Sequence, residues 1–197
     1  QEFGNALVDI LSGEVNPSGK LPTSFPVKIE DTPAYKNYPG KDLQMNYEEK
    51  LLVGHRWYEA NSIKPLFCFG HGLSYTSFNY KNLEVATGSD FVVTCKFEIQ
   101  NTGDISGLEI AQCYVGFASP LPGEPYKTLQ GFVKEEIGAN ELKKVEIKLG
   151  PRNFSFWSVE TNTWQIREGS YQILIGSSSE NILLQANINL EQALEVR

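Results

Sequence analysis

The chain has 197 residues, 17 of them basic and 24 acidic, for a formal charge of −7, with 41% apolar and 21% charged residues. The acidic balance argues against a nucleic-acid partner, which needs clustered Lys and Arg, and the apolar share is too high for a disordered chain. No run approaches the roughly 18 apolar residues of a membrane helix, and the opening residues lack a basic segment followed by an apolar stretch, so no membrane partner is expected.

In chain order, the first expected element is a short helix. Phe3, Ala6, Leu7, Ile10 and Leu11 recur at helical spacing, and the pattern stops at Ser12-Gly13. Pro17, Pro22, Pro26, Pro33, Pro39 and Pro65 then dominate, with brief periodic segments at 21–27 and 50–58. Irregular stretches this long are uncommon in compact domains unless they wrap something or are functional. This one is rich in Leu, Ile, Phe, Tyr and Trp, which disorder does not favour. Its apolar side chains are expected to bury against a body mostly outside the chain while also lining the domain that follows.

From Phe78 onward, short alternating runs recur. Phe91, Val93, Cys95, Phe97 and Ile99 share one parity, as do Ala111, Cys113 and Val115, then Val145, Ile147 and Leu149, then Tyr171, Ile173 and Ile175. These predict half-buried strands. Turn residues separate them at Asn101-Thr102-Gly103-Asp104, Pro122-Gly123, Gly138-Ala139-Asn140, Gly150-Pro151 and Glu168-Gly169-Ser170. With 78–85, 129–133 and 182–190 added, about seven strands fall in ~110 residues, the count of an immunoglobulin-like sandwich. The expected fold is therefore mainly β, a sandwich preceded by a short helix and an extended docking segment.

Few residues offer chemistry. Cys68, Cys95 and Cys113 have neither CxxC nor zinc-ligand spacing, and three cannot all pair, which excludes a disulfide scaffold and a zinc knuckle. Cys95 and Cys113 share the inward parity of successive strands. Buried free thiols are the better reading over a bridge, because Cys is a common small core residue, and unpaired thiols favour a reducing compartment. Glu48-Glu49 and Glu135-Glu136 are adjacent carboxylates, but neighbours on an extended strand face opposite ways and cannot flank one bond. Both pairs read as solvated, and Glu2 as a carboxylate favoured by a helix N-terminal dipole.

His55 and His71 are the only imidazoles, and no Ser or Cys stands in a nucleophile-elbow phrase. Gly70-His71-Gly72 reads as a crowded turn fixed by hydrogen bonds, and His55 beside Arg56 and Trp57 as interdomain packing. Arg56 is expected to pair with a carboxylate outside the chain, a role that suits a guanidinium fork. Trp57, Trp157, Trp164, Tyr126 and Phe156 allow a sugar-stacking platform but more often fill cores and interfaces. Residues 119–126, with three prolines and a glycine, read as a projecting loop, the first place to seek contact with a substrate or second subunit. Asn153-Phe154-Ser155 is the one acceptor sequon. No catalytic, cofactor-binding or metal residue is assigned within the chain.

Several phrases carry a family resemblance when taken in order. They are Gly4-Asn5-Ala6-Leu7-Val8-Asp9-Ile10-Leu11 with Gly13 to Asn16 and Pro17-Ser18-Gly19-Lys20-Leu21-Pro22, then Val53-Gly54-His55-Arg56-Trp57-Tyr58 and Phe69-Gly70-His71-Gly72-Leu73-Ser74-Tyr75-Thr76. Asn101-Thr102-Gly103-Asp104, Leu129-Gln130-Gly131-Phe132 and Gly176-Ser177-Ser178-Ser179 follow. The ordered set resembles the C-terminal end of glycoside hydrolase family 3, in particular its β-glucosidases. Departures from the pattern are Cys68 where Pro is usual, Glu49-Lys50 for Glu-Gly, His55 where Tyr is commoner, and Ala139-Asn140-Glu141-Leu142 for a Pro-Gly-Glu turn; they bear on local loop geometry.

The resemblance implies the tail of an α/β sandwich domain at 1–27, an extended linker or docking strap at 28–77, and a fibronectin type III-like β-sandwich at 78–197. It implies the C-terminal structural part of a retaining β-glucosidase that hydrolyses terminal non-reducing β-D-glucosyl residues without a metal or other cofactor. The nucleophilic Asp, in a barrel, and the acid/base Glu, in the α/β domain, would both lie upstream of Gln1. The barrel and α/β domains would be the chain's partners, the β-glucoside would be reached through the whole enzyme, and a homo-oligomer is allowed. The isolated chain is expected to be inactive. An opening Gln1, with Met45 the sole methionine, agrees with such an upstream part, which would also hold any signal segment and so leaves a secreted location open. Glucosidase and xylosidase specificities are not separated by these residues. Two other readings stand beside this one, a noncatalytic carbohydrate- or partner-binding sandwich module and a secreted adhesion domain, the latter at odds with the catalytic-domain tail in residues 1–22.

Overall fold

The described residues form ten strands, all of whose pairings are antiparallel. The computed structural model describes residues 2–88 and 90–196; Gln1, Ser89 and Arg197 lie outside the described residues. In chain order the strands are β1 (Phe78–Thr87), β2 (Val93–Asn101), β3 (Gly107–Phe117), β4 (Thr128–Ile137), β5 (Leu142–Leu149), β6 (Phe156–Ser158), β7 (Thr163–Ile166), β8 (Gly169–Gly176), β9 (Ile182–Leu190) and β10 (Leu194–Val196). One sheet has the order β1-β2-β5 and the other β4-β3-β8-β9, while β10-β7-β6 forms a small third sheet. The mainly β sandwich expected from the sequence is the fold observed. The three short strands of the third sheet are additions that runs of three or four residues cannot announce by period.

Period-two alternation aims one set of side chains into the space between the two large sheets. Val93, Cys95, Phe97 and Ile99 of β2 meet Ala111, Cys113 and Val115 of β3 and Ile173 and Ile175 of β8 there, all in one buried cluster. The outer faces differ. On the three-stranded sheet, Lys96, Glu146 and Lys148 form exposed ion pairs, as expected of a solvated face. On β3, alternation of burial fails, and residues 111–116 are buried on both faces. Residues from the first part of the chain cover that outer face.

The cover begins with helix α1 (Phe3–Ser12), which ends at Gly13 in the left-handed region (φ 82°), where glycine is favoured. A second helix, α2 (His55–Ala60), follows Gly54. Its six residues are too few to show helical periodicity, so the sequence indicated only a periodic segment at 50–58. On both sides of α2 the backbone is largely irregular, but an arm before the helix pairs with an arm after it. Leu21 N–H donates to the His71 carbonyl (2.8 Å), Gly70 N–H to Leu21 (2.8 Å) and Phe25 N–H to Phe67 (2.8 Å). These bonds satisfy backbone groups that an irregular strap would otherwise bury unpaired. Among the described residues, no helix is long and apolar enough to cross a membrane.

Candidate docking interface

The strap is locked to the sandwich by side chains on the outer face of β3. Gln112 is 3% exposed. Its Nε2 donates to the Gly70 carbonyl (3.1 Å) and the Ser177 carbonyl (2.7 Å), and its Oε1 accepts from the Tyr114 hydroxyl (2.5 Å). Ser179 N–H reaches back to the Phe69 carbonyl (2.9 Å), and Phe69 N–H donates to Ser24 Oγ (3.1 Å). The phrases around residues 70 and 177 thus meet on one carboxamide. Neither composition nor spacing singled out Gln112, because its partners lie 42 and 65 residues away.

A second tie lies at the end of α1. Asn16 Nδ2 donates to the Ser106 carbonyl (3.1 Å), its Oδ1 accepts from Ser74 Oγ (3.1 Å) and Tyr75 N–H (2.9 Å), and the Tyr75 hydroxyl donates to the Ile10 carbonyl (2.7 Å). Lys20 pairs with Glu109 (3.5 Å), which accepts from the Tyr80 hydroxyl (2.7 Å). Burial and the Glu109 charge push the Tyr80 phenol far above its ordinary pKa, so this hydroxyl remains a donor.

The third tie is α2. The His55 ring stacks on Phe69 (centroids 4.8 Å) and meets the Tyr114 ring edge-on (6.1 Å). Glu59 forms an ion pair with Lys127, and Trp57 Nε1–H donates to the Asp31 carbonyl (2.9 Å). An open cleft of about 500 Å³ lies beside these groups, lined also by Ser24, Cys68 and Ser179.

Other apolar residues of the first part of the chain are uncovered. No residue of α1 is buried, and Phe3, Val8 and Leu11 are 79%, 62% and 72% exposed. Phe25, Val27, Ile29, Tyr38, Leu43 and Tyr47 are exposed beyond it. A short helix gains most of its stability by packing an apolar face, and apolar patches of this kind mark interaction surfaces.

Comparison with known proteins adds the decisive observation. Residues 1–75 match the family model described as the glycosyl hydrolase family 3 C-terminal domain, and residues 109–179 the fibronectin type III-like domain model. The thermostable β-glucosidase B of Acetivibrio thermocellus is 39% identical over 200 residues, covering 100% of this chain and 26% of that protein. The probable β-glucosidase K of Emericella nidulans is 40% identical over 193 residues, 97% of this chain and 22% of that protein. The crystal structure of a β-glucosidase from Bifidobacterium adolescentis superposes with a TM-score of 0.90 at 33% identity, over 95% of this chain and 28% of that one. The chain matches glycoside hydrolase family 3. It spans about a quarter of the length of the relatives it matches.

The carboxylates singled out in the sequence are scattered. Glu2 precedes α1 and accepts from Asn5 Nδ2 (2.7 Å). Glu48-Glu49 lies in a turn rather than a strand. Glu135 pairs with Lys143 (2.7 Å), and Glu136 on the same strand is exposed. Among the described residues, no group of three or more His, Cys, Asp or Glu is placed to hold a metal ion. The hydrogen bonds at His71 run through its backbone, while its ring leans on Phe67 (5.2 Å). Arg56 is half-buried, its Nη1 donating to the Leu51 carbonyl (3.4 Å), and burial lowers its pKa. Arg56 has no carboxylate partner among the described residues.

The aromatic residues do not form one platform. Trp157 and Trp164 pack edge to face (5.4 Å) with the Arg152 guanidinium over Trp164 (3.2 Å), while Phe156 lies toward Arg167 (5.5 Å) and Tyr126 sits in the loop of 119–126. That loop is pinned by Glu124, which pairs with Arg167 (2.8 Å) and accepts from Leu121 N–H (2.9 Å). The Asn153 carboxamide of the sequon is engaged, donating to the Gln130 carbonyl (3.0 Å) and accepting from Gly150 N–H (2.8 Å). Cys68, Cys95 and Cys113 are all free and buried. A hydrogen bond with Cys95, together with burial, pushes the Cys113 thiol up. Titration after denaturation without reductant is expected to count three thiols; a count of one would mean that Cys95 and Cys113 are bridged.

Proposed function

We propose that the chain is the C-terminal bracing part of a retaining β-glucosidase, with residues 1–27 the tail of its α/β domain, 28–77 a docking strap and 78–197 the sandwich that anchors it. One observation carries this reading: the strap is locked to β3 while α1, at the other end of the same segment, leaves its apolar residues unburied. The similarity to enzymes named β-glucosidases, each about four times as long, supports it. Retaining hydrolysis of a glycoside uses two carboxyl groups about 5–5.5 Å apart, one attacking the anomeric carbon and one protonating the leaving oxygen. In this proposal both come from outside the chain. Displacing catalytic groups by about 1 Å can reduce rate ~100-fold, so a noncatalytic brace can be indispensable.

The isolated 197-residue chain is expected to hydrolyse no aryl β-glucoside, and turnover that survives repurification overturns the proposal. Saturable binding of cello-oligosaccharides by the isolated chain would instead favour a carbohydrate-binding module.

A further inference from the structure

We propose that His55 makes the docking of α2 on the sandwich acid-sensitive, so that its protonation releases the helix and widens the cleft beside it. His55 Nε2 is shielded from water and has no hydrogen-bond partner among the described residues. The ring is held between Phe69 and Tyr114, and a hydrogen bond with the Lys127 backbone engages it from the segment before β4. A second proton would therefore enter a shielded position that no acceptor contacts while α2 is docked, which is unfavourable for a charged group.

The charges nearby reinforce this. Arg56 adjoins His55 on α2, and Lys127 faces it from the sandwich; both oppose a positive ring. Glu59, one turn along α2, is committed to Lys127, with its Oε2 unpaired. Tyr58 of α2, Lys64 shortly after it, Cys68 of the strap arm and Glu180 after β8 complete the titratable groups of the cleft, and Tyr114 of β3 lies against the ring. Burial, then Arg56 and Lys127, push the His55 pKa down from 6.5 to about 4. With α2 released, the ring regains its ordinary value. The contact is thus at full strength above about pH 6.5 and weakens as pH falls toward about 4. Linkage puts the loss at no more than about 30-fold by pH 5, and on the order of 10-fold once the solvent-facing part of the ring is allowed for.

The device is a property of this chain and does not depend on its role in a larger enzyme. Two measurements on the full chain test it. Proton NMR resolves the two imidazoles, and the His55 resonance is expected to titrate with a midpoint near 4; a midpoint near 6.5 overturns the proposal. Cys68, which lines the same cleft, should react with dithiodipyridine about tenfold faster at pH 5 than at pH 7.5, after correction for the reagent's own pH dependence. Cys95 and Cys113, fully enclosed in the sandwich core, should not accelerate. His55→Phe keeps an aromatic ring against Phe69 without a titrating group and should abolish the acceleration, whereas the same acceleration in this variant overturns the proposal. The NMR midpoint decides the matter if the variant does not fold.

Discussion

Asn101→Ala is expected to destabilise the chain by about 3–5 kcal/mol, from the number of buried groups it leaves unpaired. Asn101 ends β2 and is fully buried. Its Nδ2 donates to the Ile105 carbonyl (2.8 Å) and the Ile137 carbonyl (3.0 Å), and its Oδ1 accepts from Thr76 Oγ1 (2.5 Å) and Gly103 N–H (3.0 Å). One carboxamide therefore holds the turn before β3, the end of β4 and the last residues of the strap. Removing it strands two carbonyls, a hydroxyl and an amide where water has little access. Against a typical total of about 5–15 kcal/mol this is a large fraction, and it should lower the melting temperature by about 10 °C or more. Asn101→Asp retains the acceptor but cannot donate to the two carbonyls, so it should also destabilise strongly at neutral pH. Thermal and urea unfolding read both variants, and a loss below about 1 kcal/mol for Asn101→Ala would show that the hub relaxes around the gap.

Gly70→Ala is expected to destabilise the strap by about 2–4 kcal/mol, from left-handed backbone strain plus displaced hydrogen bonds. Gly70 has φ 79°, and a Cβ there would overlap the Gln112 carboxamide. Gln112 must then give up its bonds to Gly70, Ser177 and Tyr114 or force residues 69–71 off β3. Amide exchange at Ser179, whose N–H depends on the Phe69 carbonyl, should accelerate while the core of β2 stays protected. The double variant Gly70→Ala with Gln112→Ala has room for the methyl group and should lose less than the sum of the singles, as contacting residues are non-additive. Strict additivity would mean that the two sites do not act through one contact.

Local pattern carried much of the fold. The parity of Val93, Cys95, Phe97 and Ile99 placed their side chains inward before any partner strand was known, because a strand's side-chain period is set by its own backbone. The extent of α1 was likewise written in Phe3, Leu7 and Leu11 and the stop at Gly13. The interface was less legible. His55 was recognised as a packing residue, yet its stacking on Phe69 and its facing cation Lys127 come from segments 14 and 72 residues further along the chain. Asn101 looked like an ordinary turn residue, and only the strap folding back beside it makes it a buried hub.

The sequence by itself determined the sandwich, the short leading helix, the inward parity of Cys95 and Cys113 and the family resemblance, since each is encoded in local period, turn chemistry or an ordered set of phrases. Tertiary structure decided which face of β3 is covered, which carboxamides hold the cover in place and which apolar face of α1 is left open. Those features depend on chain segments meeting across tens of residues, and a buried hydrogen bond acquires its energetic weight only when both partners are removed from water together.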